Sequence, residues 1–553
     1  MLIESYIKEM RVSRLVFVGV LSILFSLSVV SVLWANGSLG KIELFVLGIG
    51  LFLLFGIGLI LLSRLELNGM GRGSAFRNSK RFFITCFGAL EFLFLLTLLS
   101  NYPGFCSTDS NDIINQALGL SEYQNHFRYD GLSNHHPIFY TFLFWVVWCL
   151  TGGSTPPDFA VFIFLLLQST YIAIGMAWSL GWLNKHCSSR LIVVFLSLLS
   201  ILSPVLLVHA ATMWKDSPFA ITALILVLKL YDFSKRDQQE VKDIVEIFIL
   251  CLFVSLLRNN GIYVSILVLA YIFIVFGDVR KKVALSLISL LLIMGFIQGP
   301  IFNAFSVSKG HFAESVSVPL QQIAAVEAEG GKITDEQRNF LNNIRPLEEA
   351  KEFYNPSSTN PIKFSPNFND EFLESHKLEF IEVWTQIALA NPGIAFKAWV
   401  NLTKGYWQPG YISDIGTANT LYNESPISLI GISFSPHDFF KALSSIVPFI
   451  FSMGTSTWLV FIAFGVLALR HKSDGLLKRA TCFIPLLALL VSLLLAAPIV
   501  SDFRYILTIY LSIPFLLVLG NFFGLDETKR INETGFTLRE VSKSSYFMSQ
   551  EMI

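Results

Sequence analysis

Two acidic residues in the stretch 102–112 have the type and spacing to do chemistry. Asp109 and Asp112 are three positions apart, and both follow a long apolar run. A helix that begins near Ser110 would place both carboxylates at its N-terminal end. The alternative is structural, with Thr108, Asp109 or Ser110 capping that helix. The two roles are compatible with each other.

A polar cluster ends the same loop. Residues 130–137 are Asp-Gly-Leu-Ser-Asn-His-His-Pro, so Asp130 and Asn134 stand close to the adjacent His135 and His136. Adjacent histidines do not easily share one metal ion, and no HExxH or HxH spacing occurs. We expect these side chains to contact a ligand, with the imidazoles at a phosphate or a sugar hydroxyl. The alternative is a hydrated loop before a helix that begins at a proline.

Three further charged groups lie beside apolar runs. They contain Lys215 with Asp216, Arg258 with Asn259, and Arg504. Charges at the depth or edge of a membrane are expensive and commonly functional. Snorkelling or anchoring is the alternative, but cationic anchors belong mostly on the cytoplasmic side. The three basic residues suit an anionic lipid headgroup, especially a phosphate.

Long apolar runs must position these residues. The 553-residue chain is 53% apolar and only 14% charged, whereas a soluble domain carries about 25% charged residues. Runs long enough to span a bilayer predict an all-α polytopic membrane protein with about 12 transmembrane helices. The predicted spans are 15–34, 42–63, 82–100, 159–183, 191–208, 217–232, 244–257, 262–277, 283–299, 443–469, 481–497 and 505–523.

Basic residues between the spans predict the orientation. With both termini cytoplasmic, twelve spans place every basic cluster of the short loops on the cytoplasmic side. The apolar run 138–150 is short, and counting it as a span would reverse everything after it. We therefore predict that 138–150 is an interfacial or half-inserted helix within the first large outer loop.

The spans divide the chain into five predicted parts. The segment 300–440 contains 9 Lys and Arg against 16 Asp and Glu, a net charge of −7, which fits an extracytoplasmic segment. It is predicted to form short helices with turns, for example over 319–329 and 372–389. The parts are two N-terminal spans with a basic cytoplasmic loop (1–81), a membrane module (82–299) with the outer loop 101–158, the extracytoplasmic segment (300–440), C-terminal spans (441–523) and a cytoplasmic tail (524–553).

Several function classes are disfavoured. The formal net charge is zero, so no basic field points to nucleic acid. The six cysteines show no spacing typical of a disulfide framework or a metal site. No P-loop, Rossmann fingerprint or nucleophile elbow occurs, which argues against ATP hydrolysis.

The order of these motifs resembles a known superfamily. The resemblance is carried by seven motifs: Pro103-Gly104 with Asp109-Ser110, Asn134-His-His-Pro137 with Tyr140, Trp214-Lys-Asp-Ser-Pro218, Arg258-Asn-Asn-Gly261, Ser317-Val-Pro-Leu-Gln-Gln322, Gly405-Tyr-Trp-Gln-Pro409 and Arg504-Tyr505. The chain resembles the GT-C superfamily of integral-membrane glycosyltransferases, and within it the bacterial DUF6020-like membrane proteins. The two N-terminal spans look like an addition to that pattern.

The resemblance implies a fold and an activity. It implies a GT-C-like transferase that moves a sugar from a polyprenyl-phosphate donor to a glycan, lipid or protein acceptor, on the outer face of a bacterial cytoplasmic membrane. Asp109 would be the catalytic or metal-associated carboxylate, with Asp112 beside it, and a divalent cation is possible. Lys215, Arg258 and Arg504 would stabilise the departing phosphate. In some relatives a lysine stands where this chain has His135-His136.

Two other functions stay open. A transporter or flippase of polyprenyl-linked glycans would suit a polytopic chain, but such folds often contain repeats, and none is found here. A non-catalytic membrane protein of envelope assembly is the other alternative, although it leaves Asp109 and Arg504 without a role.

Overall fold

The computed structural model describes residues 12–65, 75–119, 131–412, 427–471, 473–495 and 501–522. Within these ranges the chain is helical, and β-pairing is limited to isolated bridges. The first part contains α1 (Val12–Ala35), α2 (Lys41–Arg64), α3 (Ser79–Ser100), α4 (Thr108–Leu118), α5 (Ile138–Leu150), α6 (Asp158–His186), α7 (Arg190–Ile201), α8 (Pro204–Ala211), α9 (Asp216–Lys235), α10 (Val241–Leu257), α11 (Gly261–Val275) and α12 (Gly277–Ala304).

Shorter helices follow in the 300–440 segment. They are α13 (Ser317–Ala328), α14 (Asp335–Asn342), α15 (Glu348–Phe353), α16 (Asn360–Lys363), α17 (Asp370–Ser375), α18 (Lys377–Ala390), α19 (Pro392–Thr403) and α20 (Pro436–Ile446). The last part contains α21 (Met453–Arg470), α22 (Gly475–Leu495) and α23 (Phe503–Leu519). Short 3₁₀ turns lie at Phe312–Ser315, Lys404–Tyr406 and Pro448–Phe451.

Eight helices among the described residues are long and apolar enough to cross a membrane: α1, α2, α3, α6, α9, α12, α21 and α22. A ninth candidate is the pair α7–α8, which bends by 43°. The other predicted spans fall on shorter helices, α10, α11 and α23. The helices are compatible with a multi-pass membrane protein, and the count of twelve stays a prediction.

Helix breaks that hydropathy does not register account for two of the differences. The predicted span 191–208 is interrupted because Pro204 starts a new helix, and the Ser203 hydroxyl accepts a hydrogen bond from the Leu206 amide (3.4 Å). The predicted span 443–469 begins only at Met453, after α20 and a 3₁₀ turn, where Ser452 caps α21. Apolar composition continues across both breaks, so it does not locate them.

Two predicted helices of the 300–440 segment also differ from the structure. The helix expected over 319–329 is α13, which begins two residues earlier. The helix expected over 372–389 is two helices, α17 and α18, which meet at His376. These helices share a hydrophobic core that includes Leu320, Phe380 and Ile387 and is separate from that of the long helices.

The buried helix α9 organises the long helices. It packs against α6, α10 and α23. A close approach to α6 depends on Gly175, because a Cβ at that position would lie 2.5 Å from Cγ1 of Ile221. This packing fixes the N-terminal end of α9, where Asp216 is the first helical residue.

The N-terminal pair α1–α2 packs on the C-terminal helices. Phe25, Phe55 and Trp458 form an aromatic cluster with ring centroids 4.5 to 5.5 Å apart. Arg470 at the end of α21 donates hydrogen bonds to the carbonyls of Ser63 and Leu65, both at 2.8 Å. The first two long helices are therefore integrated with the rest of the chain.

Candidate functional site

Helix ends from distant parts of the chain meet at one end of the long helices. α3 and α10 end there, while α4, α5, α9 and α23 begin there. The basic residues Lys235 and Arg236 lie at the opposite end of α9, roughly 30 Å away for a helix of its 20 residues. The candidate residues and this basic pair therefore lie at opposite ends of α9.

The helix that carries the two acidic residues is anchored at its first turn. α4 begins at Thr108 and not near Ser110, and its N-cap is Ser107. The structural alternative, in which Thr108, Asp109 or Ser110 is the N-cap, therefore does not describe this helix. Instead, Ser110 accepts a hydrogen bond from the Ser107 amide (2.9 Å) and donates one to the Met213 carbonyl (2.9 Å). That bond ties α4 to the segment that leads into α9.

Asp109 binds two cations through one oxygen. Arg504 Nη1 donates to Oδ2 of Asp109 at 2.7 Å, and Lys215 Nζ lies 3.4 Å from the same atom. Burial acts to raise the pKa of Asp109, but Arg504 and then Lys215 outweigh it and hold the pKa well below its ordinary value. Its side chain keeps a quarter of its surface exposed, so this ionised carboxylate can still contact a ligand.

His136 connects Lys215 to the second carboxylate. Its Nδ1 lies 2.8 Å from Lys215 Nζ, and its Nε2 lies 3.5 Å from Oδ2 of Asp112. Burial and the Lys215 charge hold the pKa of His136 well below its usual value, so the ring is neutral. Burial, together with the charge of Asp109, raises the pKa of Asp112 to about 7. The two acids of α4 therefore differ in protonation near neutral pH.

A second ion pair lies beside this network. Arg258 follows the last residue of α10, and its Nη1 lies 3.3 Å from Oδ1 of Asp216, with both side chains at least nine-tenths buried. The turn that presents Arg258 requires Gly261, whose Cβ would lie 2.0 Å from the Val254 carbonyl oxygen. Within the described residues, neither carboxylate oxygen of Asp216 has a hydrogen-bond partner.

The loop of the two histidines is held from two sides. Asn259 Nδ2 donates to the carbonyls of Asn134 (2.8 Å) and His135 (3.2 Å), and Asn134 Nδ2 donates to Oδ1 of Asn259 (3.1 Å). From the 300–440 segment, the Ser308 carbonyl accepts from the Asn134 amide at 2.8 Å. The observed contacts of Asn134 and Asn259 thus position the loop, while their predicted contact with substrate is untested.

His135 packs against its neighbour, with the two ring centroids 4.5 Å apart. Burial lowers the pKa of His135, although Glu314 opposes the shift. Asp130, the remaining predicted site residue, lies outside the described residues. The structure therefore brings together Asp109, Asp112, His135, His136, Asn134, Lys215, Asp216, Arg258, Asn259 and Arg504. Their chemical roles stay predictions.

Several residues of the site were not predicted individually. Asp502 Oδ2 lies 3.3 Å from Arg504 Nε, and Arg504 Nη2 donates to the Tyr505 hydroxyl at 3.0 Å. Trp214 donates from its indole to Ser107 Oγ (2.6 Å) and lies under Arg504. Each of these residues adjoins a predicted one, so proximity in sequence was the available signal.

Glu314 was missed for a different reason. It lies in the 300–440 segment, far in sequence from the other site residues, and pairs with the fully buried Lys363 at 2.8 Å. Its charge reaches both His135 and Asp109. The 300–440 segment therefore contributes charge to the site.

Metal ligation has no ready-made geometry in the described part of the chain. There, no group of three His, Cys, Asp or Glu side chains is arranged to hold an ion. The Asp109 carboxylate contacts Arg504 and Lys215, and the Asp112 carboxylate contacts His136.

Comparison with known proteins places the chain in a family. Residues 128–534 match DUF6020, described as a family of unknown function. The chain belongs to this family. The matched range contains His136, Lys215, Arg258 and Arg504, whereas Asp109 precedes it. No curated protein and no solved structure matches the chain.

Proposed function

We propose that this DUF6020 protein is a GT-C-type membrane glycosyltransferase. It would transfer a sugar from a polyprenyl-phosphate donor to a glycan, lipid or protein acceptor of the bacterial cell envelope. The observation that carries the proposal is the sharing of one Asp109 oxygen by Lys215 and Arg504. A carboxylate and two cations joined in a partly exposed network are suited to a hydroxyl nucleophile and a phosphate leaving group.

The proposed topology has twelve spans, both termini in the cytoplasm and α5 half-inserted. α5 has 13 residues, about 20 Å of helix, which is shorter than the hydrocarbon core of a bilayer. The position of Lys235 and Arg236 at the far end of α9 supports an outer location for the site.

An apolar cavity beside the site supports a lipid-linked donor. Its volume is about 790 Å³, and apolar side chains dominate its lining, among them Phe139, Trp145 and Phe302. Gln116 also lines it and lies one helical turn after Asp112 on α4. An isoprenoid chain in this cavity would leave its phosphate near the charged network.

In the proposed reaction the acceptor oxygen attacks the anomeric carbon while the bond from that carbon to the phosphate oxygen breaks. Lys215, Arg258 and Arg504 stabilise the charge that develops on the phosphate. Asp109 stays ionised, holds the two cations and orients the acceptor hydroxyl. Asp112 receives the hydroxyl proton, because a pKa of about 7 suits a general base better than the depressed pKa of Asp109.

Asp109→Asn tests the proposal directly. The purified protein is reconstituted with a labelled polyprenyl-phosphate sugar, and transfer to envelope acceptors is measured. We expect Asp109→Asn to abolish transfer and to leave expression and membrane insertion intact. Asp335→Asn, an exposed acid in the first turn of α14, is the matched control and should transfer normally. Normal transfer by Asp109→Asn would contradict the mechanism.

The same preparation separates the alternatives. A transporter or flippase would move the labelled lipid across the bilayer without loss of its sugar. A non-catalytic assembly protein would do neither. Lipid analysis of a deletion strain would then identify donor and acceptor through the sugar missing from one envelope polymer.

A further inference from the structure

Two arginines of the site share one aromatic ring. The guanidinium carbon of Arg258 lies 5.0 Å from the centre of the Tyr505 ring, and that of Arg504 lies 4.8 Å from the same point. The Tyr505 hydroxyl also accepts a hydrogen bond from Arg504 Nη2 at 3.0 Å. Guanidinium groups repel each other, whereas a ring face attracts each of them. The tyrosine can therefore keep two like charges close together.

Other contacts restrain each guanidinium further. Arg258 also lies 5.4 Å from the Phe219 ring and beside the Asp216 carboxylate. Arg504 lies 5.4 Å from the Trp214 ring and bonds Asp109. Each group is thus restrained by two rings and at least one carboxylate, and Tyr505 belongs to both sets. Stacking engages the face of a guanidinium and leaves N–H groups at its edge for a ligand.

We propose that Tyr505 is a positioning residue that sets Arg258 and Arg504 side by side, so that both reach a single anionic headgroup. This inference rests on the proposed function, since the headgroup is the phosphate of the lipid-linked donor. Tyr505 itself acts through the two arginines, and its ring matters more than its hydroxyl. An aliphatic side chain at position 505 would remove the ring that Arg258 shares with Arg504.

Binding of polyprenyl monophosphate to the full-length protein in nanodiscs tests this inference. Tyr505→Phe keeps the ring and should bind within about threefold of the wild type. Tyr505→Leu removes the ring that both guanidinium groups face and should bind roughly tenfold more weakly or worse. The control is Tyr271→Leu, which removes a tyrosine of α11 whose hydroxyl donates to the Leu477 carbonyl, away from the site. This variant should bind polyprenyl monophosphate as tightly as the wild type. If Tyr505→Leu does not fold, Tyr505→Met takes its place.

Equal affinity of the wild type, Tyr505→Phe and the aliphatic variant would overturn the inference. If the wild type binds no polyprenyl monophosphate, the proposed donor is wrong, and electron cryomicroscopy of the variants decides the question separately. Displacement of Arg258 and Arg504 in Tyr505→Leu, with both retained in Tyr505→Phe, supports the positioning role. Unchanged arginines in Tyr505→Leu refute it.

Discussion

Replacement of Arg504 by lysine should disable the site without removing its charge. Arg504 bonds Asp109 through Nη1 and Tyr505 through Nη2, and its Nε lies 3.3 Å from Asp502. A single ammonium group can keep the Asp109 bond but cannot reproduce the planar fork that serves three partners. The side chain is only 13% exposed, so water substitutes poorly for the missing hydrogen-bond donors.

The size of the effect follows from the two interactions that a lysine cannot make. A hydrogen bond that involves a charged group contributes roughly 1.5–3 kcal/mol. Loss of the Asp502 pair, with a smaller share from the Tyr505 bond, should cost about 1.5–3 kcal/mol, which is roughly a 10- to 150-fold fall in kcat/KM if the positioning that they provide is needed only in the transition state. We expect the fall mainly in kcat, because the charge on the phosphate develops as the sugar departs.

The assay compares sugar transfer and thermal unfolding in the same proteoliposomes. Arg338→Lys is the matched control, since Arg338 makes a two-point pair with Glu327 at 3.1 and 3.0 Å in the 300–440 segment and is one-third exposed. That variant should lose at most about 1 kcal/mol of stability and no activity. Wild-type kcat/KM in a folded Arg504→Lys protein would refute the reasoning.

Three other predictions follow from single contacts. Either Lys363→Met or Glu314→Gln should destabilise the protein by about 3–5 kcal/mol, because each leaves a buried partner uncompensated, and the double variant should recover much of that loss in chemical unfolding. Transfer should rise with pH through about 7, where Asp112 loses its proton, and Asp112→Asn should remove both this rise and most activity; an unchanged profile would exclude Asp112 as the base. Asn259→Asp cannot donate to the Asn134 and His135 carbonyls, so at this exposed contact it should cost about 0.5–1.5 kcal/mol and speed amide exchange at 133–136, whereas unchanged exchange would show that the contact is dispensable.

The length of the apolar runs and the position of charges were enough to predict the eight long helices among the described residues and the site residues at one end of them. Lys215 and Arg258 were predicted together as charges beside apolar runs that suit one anionic headgroup, and the structure has them in one site. The break at Pro204 and the late start of α21 were not predicted, because the flanking residues stay apolar. Hydropathy measures transfer to lipid and carries no information on where a helix bends.

The sequence does not predict which of the site residues contact each other. Asp109 and Arg504 are 395 positions apart, and nothing local in either stretch points to the other. Glu314 lies in a segment of mixed short helices, where no period separates a site residue from a surface one. Tyr505 reads as one more aromatic residue at a membrane boundary, and its contact with two arginines appears only in three dimensions.

The two carboxylates of α4 show why residue type and spacing do not assign a role. Asp109 and Asp112 are three positions apart on one helix, yet their pKa values move in opposite directions. Asp109 meets Arg504 and Lys215, which favour the ionised form, whereas the ionised form of Asp112 is disfavoured by its burial and by the negative charge of Asp109. The cations that make Asp109 a stable anchor also make it a poor base, and its fixed charge makes Asp112 a better one. A single loop can thus supply both the charge that orients the reactants and the group that takes the proton.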